Sequence, residues 1–212
     1  MSELNFTVEA GSAIKLKTAG KYCDRDIVVT AEGSAGGDNL TAYLVGDVTK
    51  IESNLTATRN YACHRCDAIT DVVLPEAITI GDYTFEYCTA LKNVYLPNVE
   101  TLGTYAFGYC SALETIEIPK CKTLNYYAFR SCTALKSLKL PSVTKLGDYV
   151  FRGCSALECL DFSGCTSVPT VSSLTFQSFT GTCQILVPAS LLDEWKTASR
   201  WSTIADQIVA AE

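Results

Sequence analysis

The chain has 212 residues, 48% of them hydrophobic and 19% charged, which is enough apolar material for a substantial core and argues against wholesale disorder. Its formal charge of -6 and pI near 4.9 exclude a polyanion-binding class, because nucleic-acid recognition leans on clustered Lys and Arg. The opening MSELNFTVEAG lacks a basic segment followed by an apolar one, and no apolar run approaches the ~20 residues of a membrane span. The chain as written therefore reads as soluble, made in the cytoplasm and without an export signal.

Residues 1–36 are expected to hold a small β module and the start of a linker. Phe6 and Val8, Ile14 and Leu16, and Ile27 and Val29 alternate as half-buried strands do, around a turn at Thr18-Ala19-Gly20-Lys21. GSAGGDN (33–39) has the composition of a flexible linker. The stretch GKYCDRDIVVTAEG resembles short β modules of phage and prophage tail-associated proteins, which implies a role as a tail accessory or attachment at a particle. Sequons begin at Asn5, Asn39 and Asn54, and without a signal peptide they are not expected to be glycosylated. Residues 40–60 are expected to form an irregular first coil of a solenoid spanning 37–188.

From residue 61 to 170 the chain repeats itself. YACHRCDAITDVVLPEAITIGD, YTFEYCTALKNVYLPNVETLGT, YAFGYCSALETIEIPKCKTLNY, YAFRSCTALKSLKLPSVTKLGD and YVFRGCSALECLDFSGCTSVPT are five consecutive units of 22 residues. Cys66, Cys88, Cys110, Cys132 and Cys154 share one position, and Tyr61, Tyr83, Tyr105, Tyr127 and Tyr149 another. Within each unit an L-x-x-L-x-L element places a short strand, as in Leu91-Val94-Leu96 and Leu135-Leu138-Leu140. Pro75, Pro97, Pro119 and Pro141 then end the strand, and Gly81, Gly103 and Gly147 mark a second turn. One such coil cannot bury its own apolar side, so neighbours must stack and share a core.

Leu102-Gly103-Thr104-Tyr105-Ala106-Phe107-Gly108-Tyr109-Cys110-Ser111-Ala112-Leu113, followed by Ile116-Glu117-Ile118-Pro119, resembles the BspA-like leucine-rich repeat closely. The resemblance implies a right-handed solenoid of short parallel strands, turns and short helical segments. It also implies recognition or adhesion without catalysis, often at a bacterial surface.

The end of the chain, 189–212, is expected to be a helical cap. Ile185-Leu186-Val187-Pro188 has the pattern of a last strand, and Ser190-Leu191-Leu192-Asp193 that of a capping box opening a short helix. Trp201, Ile204, Ala205 and Ile208 fall at i, i+3, i+4 and i+7, the spacing of a second helix.

Three features could carry chemistry. Cys63 and Cys66 flank the chain's one histidine, His64, in C-x-x-C spacing, which would suit thiol-redox work or half a zinc site. In repeat register, however, Cys63 takes the place of Phe85, Phe107, Phe129 and Phe151, and Cys66 that of the recurring cysteine. Both then face the core, beside a space that a side chain from 40–60 should fill. The stacked cysteines are expected to stay unbridged, since in-register strands hold Cβ atoms about 4.8 Å apart against ~3.8 Å in a disulfide. Lys92, Glu114, Lys136 and Glu158, and Glu117, Lys139 and Asp161, alternate in sign along two columns and could pair across coils. The tyrosines are the candidate binding face: Tyr83, Tyr105, Tyr127 and Tyr149, with Tyr95 on the strand, could stack on sugars or partner side chains, or on one another.

The sequence thus reads as a non-enzymatic module for a protein or a cell-envelope glycan, with no cofactor and no metal. The alternatives are a structural spacer and a thiol-redox or metal protein centred on Cys63 and Cys66.

Overall fold

The computed structural model describes residues 50–52, 54–176 and 183–212. The expected β module, the linker and the first part of the leading coil lie outside the described residues.

In chain order the strands are β1 (Lys50–Glu52), β2 (Asp71–Val73), β3 (Thr79–Ile80), β4 (Asn93–Tyr95), β5 (Thr101–Leu102), β6 (Thr115–Glu117) and β7 (Thr123–Leu124). They continue as β8 (Ser137–Lys139), β9 (Lys145–Leu146), β10 (Cys159–Asp161), β11 (Thr170–Val171), β12 (Gln184–Val187) and β13 (Ile208–Ala210). All pairings are parallel between like positions of successive coils, such as Val72 with Val94 and Val94 with Ile116. Each of the five coils from β2 to β11 therefore has a three-residue strand, a two-residue strand on a second side, and a turn that opens with the recurring tyrosine. The short strands β3, β5, β7, β9 and β11 form one uninterrupted ladder. The longer ones form two, β1-β2-β4-β6 and β8-β10-β12-β13, with a break between β6 and β8.

One inward residue per long strand suffices for the core because both ends of each strand turn sharply. Ile51, Val72, Val94, Ile116, Leu138, Leu160, Ile185 and Ile208 are all buried. Behind the tyrosine turn, Phe85, Phe107, Phe129 and Phe151 stack with centroids 5.3, 5.7 and 6.0 Å apart. Burying each ring contributes about 1.5–3 kcal/mol.

The described part of the leading coil, residues 50–52 and 54–60, is more regular than its sequence indicated. β1 pairs in register with β2, Ile51 opposite Val72, and Ala57 bridges to Thr79. Ile51 and Leu55 join the buried cluster that contains Cys63, which is 1% exposed. Any contribution of residues 40–49 to the space beside Cys63 lies outside the described residues.

The cap departs from the sequence reading in two places. Ser190 sits inside a 3-10 turn (Ala189–Leu191), and the six-residue helix α1 (Leu192–Thr197) starts with no side-chain cap. The spacing of Trp201, Ile204, Ala205 and Ile208 does not produce an α-helix. A 3-10 segment (Trp201–Gln207) leaves helical geometry at Ile204, and Ile208 opens β13. Pairing with β12 decides this, since Ile208 opposite Ile185 closes the sheet edge that a helix would have left bare. Trp195 and Trp201 are buried against each other and against Phe162. The fifth coil carries three extra residues, since Thr170 rather than residue 167 pairs with Lys145, and Trp201 Nε1 donates to the Pro169 carbonyl in that insertion at 2.9 Å.

Candidate binding edge and the cysteine column

The tyrosine turn is held by main-chain bonds at every step of the array. The N–H groups of Tyr61, Tyr83, Tyr105 and Tyr127 donate to carbonyls of Asp82, Thr104, Tyr126 and Asp148 in the next coil, at 2.8–3.0 Å. Aiming them there places all five recurring tyrosines in the left-handed region, at φ between 53° and 62°. Residues four positions later, Arg65, Tyr87, Tyr109 and Ser131, are left-handed too. Such a conformation costs about 1–3 kcal/mol at a non-glycine residue and persists only where the surroundings over-determine it.

Ring stacking supplies part of that over-determination. Successive rings from Tyr61 to Tyr149 lie 4.7, 5.4, 4.6 and 5.0 Å apart and within 16° of parallel. A second stack, absent from the sequence reading, joins Tyr87 and Tyr109 at 4.4 Å. The ring faces of the candidate residues Tyr83, Tyr105 and Tyr127 are thus turned to one another, and the row is half-buried. Tyr95 stands apart from it. It lies on β4, between Val73 and Glu117, and is 43% exposed.

Arginines close over this edge. Arg65 lies 5.1 Å from the Tyr87 centroid, Arg152 5.3 Å from Tyr149, and Arg130 5.2 Å from both Tyr109 and Tyr127. Arg130 Nη1 also donates to the Tyr105 hydroxyl at 2.8 Å. Each such contact contributes about 0.5–1 kcal/mol at an exposed site. The sequence signal was present in Tyr-x-x-x-Tyr at 83/87 and 105/109, and in Phe-Arg at 129/130 and 151/152. It was hidden because these columns change residue type from coil to coil.

His64 Nδ1 lies 3.2 Å from Glu86 Oε2, off hydrogen-bond geometry, with Tyr61 and Tyr87 edge-on to the ring. Burial and then the Arg65 charge lower the His64 pKa, while burial raises that of Glu86. Both shifts favour the neutral forms.

The cysteine column has a specific role. The thiols of Cys88, Cys110, Cys132 and Cys154 donate to the carbonyls of Cys63, Phe85, Phe107 and Phe129 in the preceding coil, at 3.0–3.1 Å. A thiol is small enough to pack as a hydrophobe and still satisfies a buried acceptor. None of these four is disulfide-bonded. Burial pushes Cys154 up to about 12. At Cys63 the hydrogen bond with Cys66, followed by burial, raises the thiol well above its ordinary value. A thiol nucleophile needs the opposite direction, and among the described residues no group of three or more His, Cys, Asp or Glu is placed to hold a metal.

The alternating charge columns keep their register but pair little. Among the described residues only Lys139 and Asp161 approach, at 4.0 Å. Fully solvated lysines gain less from a fixed partner than they lose in side-chain freedom.

A family model described as the BspA type leucine rich repeat region matches residues 56–185 in six copies. No curated protein matches significantly. Among solved structures, a leucine rich cell surface protein from Faecalibacterium prausnitzii is 24% identical, with a TM-score of 0.51. The match covers 64% of this chain and 37% of that one. A T. pallidum leucine rich repeat protein is 23% identical over 69% of this chain and 68% of its own, with a TM-score of 0.52. At these identities the likeness establishes the fold, a leucine-rich-repeat solenoid of parallel strands. Among the described residues no helix is long and apolar enough to cross a membrane. The chain belongs to the BspA type leucine-rich repeat family.

Proposed function

We propose that this chain is a non-catalytic recognition module that engages a protein or a cell-envelope glycan along its tyrosine edge. Leucine-rich-repeat proteins are generally interaction or surface modules, and BspA-like members are usually surface-associated. The observation that carries the reading is the continuous row of stacked tyrosines, with Arg130 and Arg152 laid over it and Arg65 over the adjoining Tyr87. Tyr and Arg are the side chains most enriched at interfaces, and rings already fixed by stacking lose little freedom when a partner arrives. Because the ring faces are occupied, contact is made through hydroxyls, ring edges and guanidinium groups. Tyr95 offers a separate, smaller contact on the strand face.

Service at a phage tail rests only on the resemblance of GKYCDRDIVVTAEG, and it concerns attachment rather than the binding edge. The spacer reading draws on the stacking itself, which would seal the coil edge whether or not anything binds there.

Screening bacterial envelope proteins and glycans on an array identifies the ligand class. The double variant Tyr105→Phe/Tyr127→Phe keeps the stack and removes two hydroxyls, and Arg130→Ala removes the guanidinium. Loss of about tenfold or more in affinity with unchanged circular dichroism is expected. Undiminished binding by both variants would leave the edge as structure and favour the spacer.

A further inference from the structure

The trailing half of the tyrosine edge carries positive charge with no acid paired to it. The position three residues after each recurring tyrosine holds His64, Glu86, Gly108, Arg130 and Arg152 in turn, so two arginines stand at equivalent places in the fourth and fifth units. Their main chains are one coil apart, about 4.8 Å. Among the described residues neither joins an ion pair, and residues 177–182 contain no Asp or Glu. Glu86, the acid of this column, is 8% exposed and belongs to a unit two coils before that of Arg130. Like charges at equivalent positions oppose stacking, and an anion laid across both removes that repulsion.

The surroundings of these arginines suit an oxyanion. Gly108 has no side chain in the path of Arg130, whose Nη1 reaches back and donates to the Tyr105 hydroxyl at 2.8 Å. That hydroxyl accepts from Arg130 and keeps its own proton for an outside acceptor. Stacking turns the ring faces, the negative part of each quadrupole, toward one another and leaves the positive ring edges along the surface. Next to the arginines, the second ring column shrinks from Tyr87 and Tyr109 to Ser131 and Gly153. Both small residues are left-handed, at φ 57° and 78°, and a Cβ on Gly153 would stand 3.0 Å from Ser131 Oγ. The missing side chain leaves the Ser131 hydroxyl uncovered on that side, in the step between Arg130 and Arg152.

We infer, on the reading that this edge is the binding surface, that Arg130, Arg152, the Tyr105 hydroxyl and Ser131 Oγ form a cradle for two carboxylates of an acidic peptide segment in a partner protein. A guanidinium presents a planar fork that takes a carboxylate through two N–H groups. In an extended peptide, acidic residues at i and i+2 project to one side about 6.6 Å apart, a span that two long arginine side chains on adjacent coils can match. A peptide fits better than a sugar chain, because the ring faces on which a sugar would stack are already occupied.

The probe is acetyl-Ala-Glu-Thr-Glu-Ala-amide, titrated into the 15N-labelled full chain at low salt and followed by amide and arginine Nε NMR. Saturable shifts at Arg130, Ser131, Arg152 and Gly153 are expected. Affinity should fall about tenfold for the uncharged acetyl-Ala-Gln-Thr-Gln-Ala-amide and for Arg152→Gln. Lys145→Gln removes an exposed cation from the short-strand face and should change affinity by less than about twofold. No saturable shift up to about 10 mM peptide, equal affinity of the glutamine peptide, or an equal loss on Lys145→Gln would overturn the inference. So would saturation of the same residues by oligogalacturonate without binding of the peptide, which would assign the cradle to an acidic glycan. These failures are separate from failure of the edge reading: an array ligand lost with Tyr105→Phe/Tyr127→Phe but retained with Arg152→Gln keeps the edge and removes the acidic peptide.

Discussion

The tyrosine edge and the long-strand face belong to the same coils, yet one is bonded at every step and the other parts between β6 and β8. Identical repeat length therefore does not impose identical cohesion on all sides of a coil. On the tyrosine side three independent ties act at each step: a main-chain bond, a ring stack and a thiol-to-carbonyl bond. On the strand face side-chain help is uneven. Asn93 Nδ2 donates to Asp71 Oδ1 at 2.9 Å and Thr115 Oγ1 to Asn93 Oδ1 at 3.0 Å across β2, β4 and β6, and Lys139 and Asp161 approach at 4.0 Å across β8 and β10. Among the described residues no side-chain bond joins β6 to β8, where the ladder parts.

The largest test of this contrast uses pH. Burial holds Cys154 and Cys121 at about 12, against an ordinary 9.0. A thiol raised in the folded state contributes its full stability below pH 9 and loses it as pH climbs toward 12, because the unfolded chain gains thiolate that the folded chain cannot. Urea midpoints should be flat from pH 7 to 8 and then fall, with each such thiol removing about 1.4 kcal/mol per pH unit inside that window. Constant midpoints to pH 11 would mean the thiols are less enclosed than the structure shows.

Core truncations sharpen the comparison next. Phe129→Ala, on the tied side, should cost about 3–5 kcal/mol in equilibrium unfolding, whereas Ile116→Ala beside the break between β6 and β8 should fall near ~2 kcal/mol, at the low end for such changes. Cys110→Ala, which removes the thiol bond to the Phe85 carbonyl but leaves that carbonyl its 3.1 Å bond from the Cys88 N–H, is expected to cost about 0.5–1.5 kcal/mol. At the bottom of the scale Lys139→Ala, which breaks only the exposed 4.0 Å contact with Asp161, should change stability by less than about 0.5 kcal/mol.

Much of the fold was legible because the 22-residue register assigns every column at once. It placed Cys63 in the phenylalanine column and so read C-x-x-C as core, and the structure buries that cysteine. It failed where periodicity competes with tertiary pairing. Ile208 sits at helical spacing from Trp201, but a free strand edge beside it wins. The tyrosine column was visible, while its arginines were not, because the position of Arg130 and Arg152 holds His64, Glu86 and Gly108 in the earlier units, and Arg130 also reaches back to the Tyr105 hydroxyl in the preceding coil. The split between β6 and β8 left no mark either, since both strands carry the full repeat pattern. One local departure accompanies it. Asn125 stands where Gly103 and Gly147 approach the preceding coil so closely that a Cβ would meet main-chain atoms at 2.6–2.8 Å. Its N–H bond to Leu102 is 3.1 Å, against 2.8 Å at both glycines.

Native-state hydrogen exchange tests the central contrast most directly, because it reads each ladder bond separately. The amides of Lys136, Ser137 and Ile118 should exchange at least about a hundredfold faster than their counterparts Glu158, Cys159 and Leu140, while Tyr105, Phe107 and Tyr109 on the tyrosine side of the same step stay protected. Equal protection of the two sets of strand amides would contradict the account.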